Sequence, residues 1–218
     1  MAGMKNIKWL SKALALCLIV ISTSGCARIL MGAMGLNQPK TLDDEQIARA
    51  AKKYGIPSNN SFVLDTNYYH YFRQMDSATH YASAKNHTQP LQALYYNRKG
   101  ALVSFQVNCY AGGGFNLQWD QDSTFQEFPP KQQAPLDTIV PLRTQQAYMM
   151  PLKNTEQMPY EGHDYTVVVH WSRFFGRQSR RLIQFVQDNA ALAGNKSVQV
   201  LYVNNDAIFG ASEIEIVR

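Results

Sequence analysis

The clearest periodic signal in this chain lies between residues 165 and 205. An apolar run (165–171) is followed by a polar bend, an amphipathic segment (177–193) and a second apolar run (198–203). Apolar runs of this length on either side of a helix-length segment are typical of a βαβ unit with buried, parallel strands. The pattern therefore predicts an α/β domain built around this unit.

Three shorter elements are predicted before residue 76. A helix over 41–54 is favoured by Thr41 as its N-cap, by acidic residues in its first turn and by Gly55 as its stop. Residues 62–64 are predicted to form a short strand, and residues 67–75 a second helix. The second helix carries an apolar stripe that we assign to the core, made of Tyr68, Tyr71, Phe72 and Met75.

A β-hairpin is predicted over 91–107. Its strands are 91–96 and 101–107, and the turn at 97–100 places Gly100 where a positive φ is needed. Alternation along the second strand predicts one shared face for Ala101, Val103, Phe105 and Val107. Beyond the hairpin, we expect an irregular segment at 120–135, a short helix at 142–150 stopped by Pro151, and an edge strand at 213–217.

The bend after the first apolar run, W-S-R-F-F-G-R-Q, resembles the active-site segment of thioredoxin-superfamily proteins. In that family the first strand ends in Trp-Ala-x-Trp-Cys-Gly-Pro-Cys and a helix begins there. Trp171, Phe174 and Gly176 match the two aromatic positions and the glycine, whereas Phe175 and Gln178 stand at the two cysteine positions. The resemblance implies a thioredoxin-like three-layer sheet with flanking helices and a degenerate active site.

Earlier segments resemble other pieces of the same family in a different order. Tyr54-Gly55-Ile56-Pro57 with the apolar run 62–64, and the hairpin at 91–107, look like pieces that follow the βαβ unit in thioredoxin-like proteins. Here both precede it, and the chain has no proline after Pro159 to supply the usual cis-proline loop. Two interpretations stay open, a rearranged or permuted thioredoxin-like sheet and a coincidence between short strings.

The N-terminus has the features of a secretory signal. Three lysines precede an uncharged apolar run (13–21), and small residues lead to Ser24-Gly25-Cys26. This end resembles a bacterial lipoprotein lipobox, although Thr23 stands where that family usually has leucine. The resemblance implies cleavage before Cys26, attachment of acyl chains such as palmitate to Cys26, and a place on the periplasmic leaflet of the outer membrane. The alternative is an unmodified Cys26 behind an ordinary signal peptide or an uncleaved anchor.

These features divide the chain into three parts. We expect a signal peptide at 1–25, a lipidated cysteine with a tether at 26–40, and a single thioredoxin-like domain at 41–218. Loss of residues 1–25 would remove three lysines and no acidic residue, which lowers the net charge from +5 to +2. Nucleic-acid binding then loses its electrostatic argument. The expected partners are the membrane through the anchor and an envelope protein or anionic envelope component.

Little catalytic chemistry is indicated. Disulfide exchange needs a thiolate, and neither Phe175 nor Gln178 supplies one. Cys17 lies in the signal and Cys26 would be modified, so Cys109 would be the one thiol of the mature chain. Cys109 is either a small buried apolar residue or a reactive thiol. The histidines lack metal-ligand spacing, and no catalytic set, metal site or cofactor is predicted.

The charged feature that stands out is a basic cluster at the start of the predicted helix, made of Arg173, Arg177, Arg180 and Arg181. Because a helix N-terminus already favours anions, four guanidinium groups there oppose the helix dipole unless an anion or carboxylates answer them. The cluster is therefore either an anion-binding site or a solvated face with local acidic partners.

The function predicted from the sequence is binding or envelope assembly by a periplasm-facing lipoprotein whose thioredoxin-like domain is redox-inactive. One alternative is a single-cysteine thiol protein that uses Cys109. The other is a structural accessory subunit of an outer-membrane complex, with aromatic residues as its contact surface.

Overall fold

The computed structural model describes residues 32, 35–37, 42–75, 77–110, 119, 121–152, 155 and 162–210. The chain divides into two units, 1–37 and 38–218, and every element named below belongs to the second. Cys26, the signal at 1–25, most of the tether and the predicted strand at 213–217 lie outside the described residues.

The described part of the second unit contains α-helices, β-strands and two short 3-10 turns in mixed order. The helices are α1 (Asp44–Lys53), α2 (Asn67–Arg73), α3 (Ser77–His87), α4 (Leu142–Ala147), α5 (Gly176–Ala191) and α6 (Asp206–Gly210). The strands are β1 (Ser61–Leu64), β2 (Gln92–Asn97), β3 (Leu102–Val107), β4 (Met149–Pro151), β5 (Tyr165–Trp171) and β6 (Val198–Asn204). The 3-10 turns are Ser58–Asn60 and Gln121–Gln126.

One mixed sheet holds all six of these strands in the order β3-β2-β5-β6-β1-β4. Strands β5, β6 and β1 are parallel neighbours at its centre, while β2 and β4 run antiparallel to them. The predicted βαβ unit is confirmed, since β5 and β6 pair in parallel and α5 connects them. Its strands are mainly apolar because helices cover both faces of the sheet.

The sheet is the middle of three layers, and each face has its own apolar core. One core holds Ile47 and Ala51 of α1 and Leu182, Ile183 and Val186 of α5 against strand residues such as Val167 and Val169. The other core holds Tyr68 and Phe72 of α2, Leu142 of α4 and Ile208 of α6 against Phe62, Val168 and Leu201. The predicted α/β class is therefore present as a mixed open sheet with helices on both sides.

Thr41 was predicted to cap helix α1. The helix begins two residues later than that cap would require, so the prediction was wrong. Asp43 is the N-cap, because its extended backbone lets its carboxylate accept a hydrogen bond from the backbone N–H of Gln46 at 2.8 Å. The predicted stop is confirmed, since Gly55 follows the helix with φ +75°.

The hairpin is confirmed, but its alternation breaks in the second strand. The turn closes where predicted, with Gly100 at φ +73° and its N–H donating to the carbonyl of Asn97 at 2.8 Å. An irregularity in the pairing falls between Tyr95 and Tyr96, opposite Val103. Val103 consequently packs on the α1 and α5 side, whereas Phe105 packs on the other. The single predicted face was therefore wrong at Val103.

Two further elements differ from what the sequence predicts. The segment 142–150 is helical only as far as Ala147, and Met149–Pro151 pairs antiparallel with β1 instead. Helix α3 was not predicted at all. Its sequence SATHYASAKNH has no apolar stripe, and the two residues it buries most fully are the polar Asn86 and His87.

Polar side chains lie inside the core on the α2 side. His87 is fully buried between the rings of Phe72 and Phe105, and its Nε2 lies 3.0 Å from Asp137 Oδ1. His170 of β5, also fully buried, contacts the Gln145 amide. Burial lowers the pKa of His170 to about 3, and the nearby His87 adds to this effect. Burial raises the pKa of Asp137, but hydrogen bonds from His87, Ile139 and Ser83 and the charge of His87 together outweigh burial and hold the pKa below its ordinary value.

Candidate functional site

The bend between β5 and α5 lies at the sheet edge where β5, β6 and β1 all end. Asn205 joins three chain segments there through its backbone N–H and its side-chain amide. Its backbone N–H donates to the carbonyl of Trp171 at 3.0 Å, and its side-chain N–H donates to the carbonyl of Pro90 at 2.8 Å. The bend is thus held between the start of β2 and the end of β6. Carboxyl ends of parallel strands are the usual place for ligands in α/β sheets.

Asp206 fixes the conformation of the bend. Its buried carboxylate accepts hydrogen bonds from Ser172 Oγ at 2.6 Å, from the N–H groups of Arg173 at 2.7 Å and Phe174 at 3.2 Å, and from Asn204 Nδ2 at 2.8 Å. The backbone N–H groups of Arg173 and Phe174, which an anion would meet at an open bend, therefore already donate to Asp206. Recognition of a ligand at this place falls to side chains rather than to the backbone.

A second hydrogen-bonded pair ties the first turn of α5 to β5. Ser179 Oγ donates to the carbonyl of Ser172 at 2.6 Å and accepts from its N–H at 3.2 Å. Ser172 Oγ in turn accepts from the N–H of Phe174 at 3.0 Å. Because the Ser172 hydroxyl donates to one group and accepts from another, we assign it a role in geometry rather than in nucleophilic attack.

The two residues that the resemblance pairs with cysteines, Phe175 and Gln178, lie at the N-cap and in the first turn of α5. Phe175 is half-buried, contacts the ring of Phe174 edge-on at 4.9 Å, and packs against the core on the α1 and α5 side. Gln178 is 5% exposed, and its Oε1 atom has no hydrogen-bond partner. Neither position offers a thiol, so this bend supports no dithiol exchange.

Of the four predicted arginines, Arg173 is half-buried, and Arg177, Arg180 and Arg181 are exposed. No carboxylate of the described residues lies within ion-pair distance of Arg180 or Arg181. The sequence therefore placed the charges correctly at one end of α5, but Arg180 and Arg181 lack, among the described residues, the local acidic partners that a purely structural cluster would have.

Tyr54 of the α1 C-terminus joins this edge. Its ring packs edge-on against Trp171 at 5.6 Å. Burial raises the pKa of Tyr54, the charge of Asp206 raises it further, and the charges of Arg173 and Arg180 lower it. The phenol thus lies within electrostatic reach of two of the four guanidinium groups. A neutral hydroxyl donor in the field of two cations is a suitable combination for a carboxylate or phosphate oxygen.

Cys109 lies at the same edge of the sheet. It follows β3 by two residues, and Asn108 between them exchanges hydrogen bonds with Leu91 at the start of β2. The thiol is free and half-buried. Because β2 lies between β3 and β5, the chain at Cys109 is about 10 Å from the chain at Ser172, measured across the sheet.

Sequence inspection missed Ser172, Asp206 and Tyr54. A usable signal was present for the first two, because Asn205-Asp206 and Ser172 are polar residues that directly follow two buried parallel strands. No local pattern could have found Tyr54, which reaches the site from the end of α1.

Other kinds of site find no support in the described ranges. No three His, Cys, Asp or Glu side chains there are grouped closely enough to hold a metal ion. No helix in those ranges combines the length and the apolar character needed to cross a bilayer. Comparison with protein-family models, with curated protein sequences and with solved structures finds no match for this chain.

Proposed function

We propose that this chain is a lipid-anchored protein of the bacterial envelope, attached through Cys26, whose domain binds rather than carries out disulfide chemistry. The binding surface is the edge made by Tyr54, Arg173 and Arg180, with Arg177 and Arg181 beside it. Its ligand is an anionic envelope component or an acidic surface of an envelope protein.

The strand neighbours support a rearranged thioredoxin-like sheet. The hairpin of β2 and β3 precedes the βαβ unit in the chain, yet β2 pairs antiparallel with β5 on the side away from β6. A permuted order of the pieces that the resemblance names would give this adjacency. In such a domain the bend at 172–178 would be the ancestral active site, with Phe175 and Gln178 in place of its thiols.

The observation that carries the binding proposal is the packing of Tyr54 against Trp171, within the electrostatic influence of Arg173 and Arg180, beside a bend whose N–H groups donate to Asp206. Arginine holds carboxylates and phosphates through paired hydrogen bonds, and each charge-assisted bond contributes about 1.5–3 kcal/mol. Because the site is organised and lacks thiols, its remaining capacity is recognition of an anion.

The test is co-sedimentation with envelope fractions of the chain produced without the proposed acyl anchor at Cys26, so that the anchor itself does not hold it on the membrane. Arg173→Gln with Arg180→Gln should weaken association about tenfold or more. Lys52→Gln with Lys53→Gln, which removes two exposed charges from α1, is the matched control and should bind like the wild type. Equal binding by the two double variants would show that the basic edge is only a solvated face.

One observation favours a second candidate, the single-cysteine thiol protein. Cys109 lies on the same sheet edge as the bend and is partly accessible. Rapid modification of Cys109 by a thiol reagent at neutral pH, in excess of the rate for free cysteine, would support it. By contrast, the described residues present no broad aromatic surface for the third candidate. Tyr68 and Phe72 are buried, and Tyr81 is the aromatic residue with a large exposed fraction among the described residues, at 53%.

A further inference from the structure

A second basic feature lies at the opposite edge of the sheet, where β5 and β6 begin and β2 turns into β3. A cavity of about 520 Å³ opens there between the hairpin turn and the starts of the two parallel strands. We call it the amino-edge pocket. It is lined by Asn97, Arg98, Lys99, Asp164, Tyr165, Asn195 and Lys196.

Hydrogen bonds fix the hairpin wall of the amino-edge pocket. Asn97 Oδ1 accepts from the N–H of Lys99 at 2.9 Å and from that of Ala101 at 3.2 Å. The positive φ of Gly100 completes this turn. The turn therefore presents Arg98 and Lys99 from a fixed backbone.

The opposite wall is fixed by Asp164 and Ser197. Asp164 Oδ2 accepts from the N–H of Ser197 at 2.9 Å and from its hydroxyl at 3.1 Å, while the N–H of Asp164 donates back to that hydroxyl at 2.9 Å. The ammonium of Lys196 lies 5.4 Å above the ring of Tyr165, which positions it by a cation–π contact. Both walls are thus arranged before any ligand arrives.

Three cations and one carboxylate line this pocket, so it carries an excess of two positive charges. The hydrogen bonds from Ser197 are the main reason that the pKa of Asp164 is lowered, and Arg98 and Lys196 add smaller effects. Asp164 Oδ1 is 4.0 Å from Arg98 Nη1, and the Arg98 side chain is 70% exposed. That weak, exposed contact leaves the guanidinium available for a second anion.

We propose that the amino-edge pocket binds a phosphate group, carried either by a small soluble compound or by a phospholipid headgroup. The guanidinium of Arg98 and the ammonium groups of Lys99 and Lys196 provide the charge-assisted donors that phosphate oxygens accept. The amides of Asn97 and Asn195 line the same space and supply neutral polar groups. This site is separate from the basic bend at the carboxyl edge, and it stands whether or not that bend binds an anion.

The experiment uses the full chain in neutral detergent micelles and two probes. Inorganic phosphate is titrated in one arm, and phosphatidylglycerol is added to the micelles in the other. Backbone amide NMR shifts of Lys99 and Ser197 report binding at this pocket, and calorimetry gives the affinity. We expect at least one probe to shift both amides. Phosphate acting alone identifies a soluble ligand, and phosphatidylglycerol acting alone identifies a headgroup.

Variants then assign the binding to the named side chains. Arg98→Gln with Lys196→Gln should weaken binding about tenfold or more, and Arg98→Lys should weaken it less, because it keeps the charge but loses the paired geometry. Lys52→Gln with Lys53→Gln is the control of equal charge change and should bind like the wild type. The proposal is overturned if neither probe shifts the two amides, or if the pocket variant and the control lose the same affinity.

Discussion

The hydroxyl of Ser172 donates to the carboxylate of Asp206 at 2.6 Å, although 34 positions separate the two residues. This bond joins the bend after β5 to the residue pair that follows β6. It ties together the carboxyl ends of the two parallel strands of the βαβ unit. The same carboxylate holds the bend amides, so one buried acid sets the shape of the proposed binding surface.

Replacement of that acid should destabilise the fold. Asp206→Asn keeps the size of the side chain but presents an NH2 group where a carboxylate oxygen accepts donors. We expect the free energy of unfolding to fall by at least about 2 kcal/mol, measured by urea denaturation with circular dichroism. Asp188→Asn on the exposed face of α5 is the matched control, with a change below about 0.5 kcal/mol. Equal stability of the two variants would contradict the role given to Asp206.

The stability of the domain should fall in mild acid because of His170. Its folded-state pKa of about 3 lies below the ordinary value, so the stability from neutral His170 is present above pH about 6.5 and is lost as the pH falls toward 3. The free energy of unfolding should drop by up to about 1.4 kcal/mol per pH unit in this window. Asp137, whose pKa is also lowered, adds a loss in the same direction at lower pH.

The test of His170 is the slope of the unfolding free energy against pH. This slope does not depend on any pH-independent loss of stability that the substitution itself causes. His170→Gln should flatten the curve between pH about 6 and 4. His70→Gln, at an exposed histidine of α2, should leave the slope as in the wild type. An unchanged slope in His170→Gln would mean that this buried imidazole does not set the acid response.

The central strands and the hairpin could be predicted from the sequence because their signals are local. Strands β5 and β6 are mainly apolar, since both of their faces are covered, and Gly100 marks the hairpin turn. Helix α3 could not be predicted, since polar residues such as His87 are what it buries. The placement of β1 beside β6 and of β2 beside β5 also left no local trace, because such pairings join distant segments.

The candidate site likewise has one part that the sequence predicts and another that it does not. The arginine cluster was visible because its members share one stretch of α5 and the bend before it. The contribution of Tyr54 and the anchoring bonds of Asp206 depend on which chain ends meet at the sheet edge. Only the folded arrangement brings those groups to the arginines.

The domain should lack dithiol oxidoreductase activity. In the proposed alignment with thioredoxin-superfamily proteins, Phe175 and Gln178 stand at the two cysteine positions, and neither side chain can form a mixed disulfide. We expect no reduction of insulin disulfides above the uncatalysed rate with dithiothreitol as reductant. Thioredoxin itself serves as the positive control. Turnover at a thioredoxin-like rate by the wild-type chain would refute this prediction.

Lipid attachment should depend on Cys26. The lysines, the apolar run and Ser24-Gly25-Cys26 predict processing and acylation at that residue. Cys26→Ser should leave an unprocessed precursor or release the chain to the soluble fraction, because acyl chains contribute about 0.8 kcal/mol per buried CH₂. Cys109→Ser is the control and should keep the wild-type processing. Unchanged processing and membrane retention in Cys26→Ser would contradict the anchor.

The central claim is that an anionic envelope component meets the edge made by Tyr54, Arg173 and Arg180. The most direct measurement is co-sedimentation of the chain produced without its acyl anchor with envelope fractions at low and moderate salt, comparing two charge reversals of equal size. Arg173→Glu with Arg180→Glu should reduce association more than tenfold at both salt levels, and Arg177→Glu with Arg181→Glu should reduce it less and mainly at low salt. Circular dichroism must show that each variant is folded. Binding at the wild-type level by the folded Arg173→Glu, Arg180→Glu variant would contradict the account.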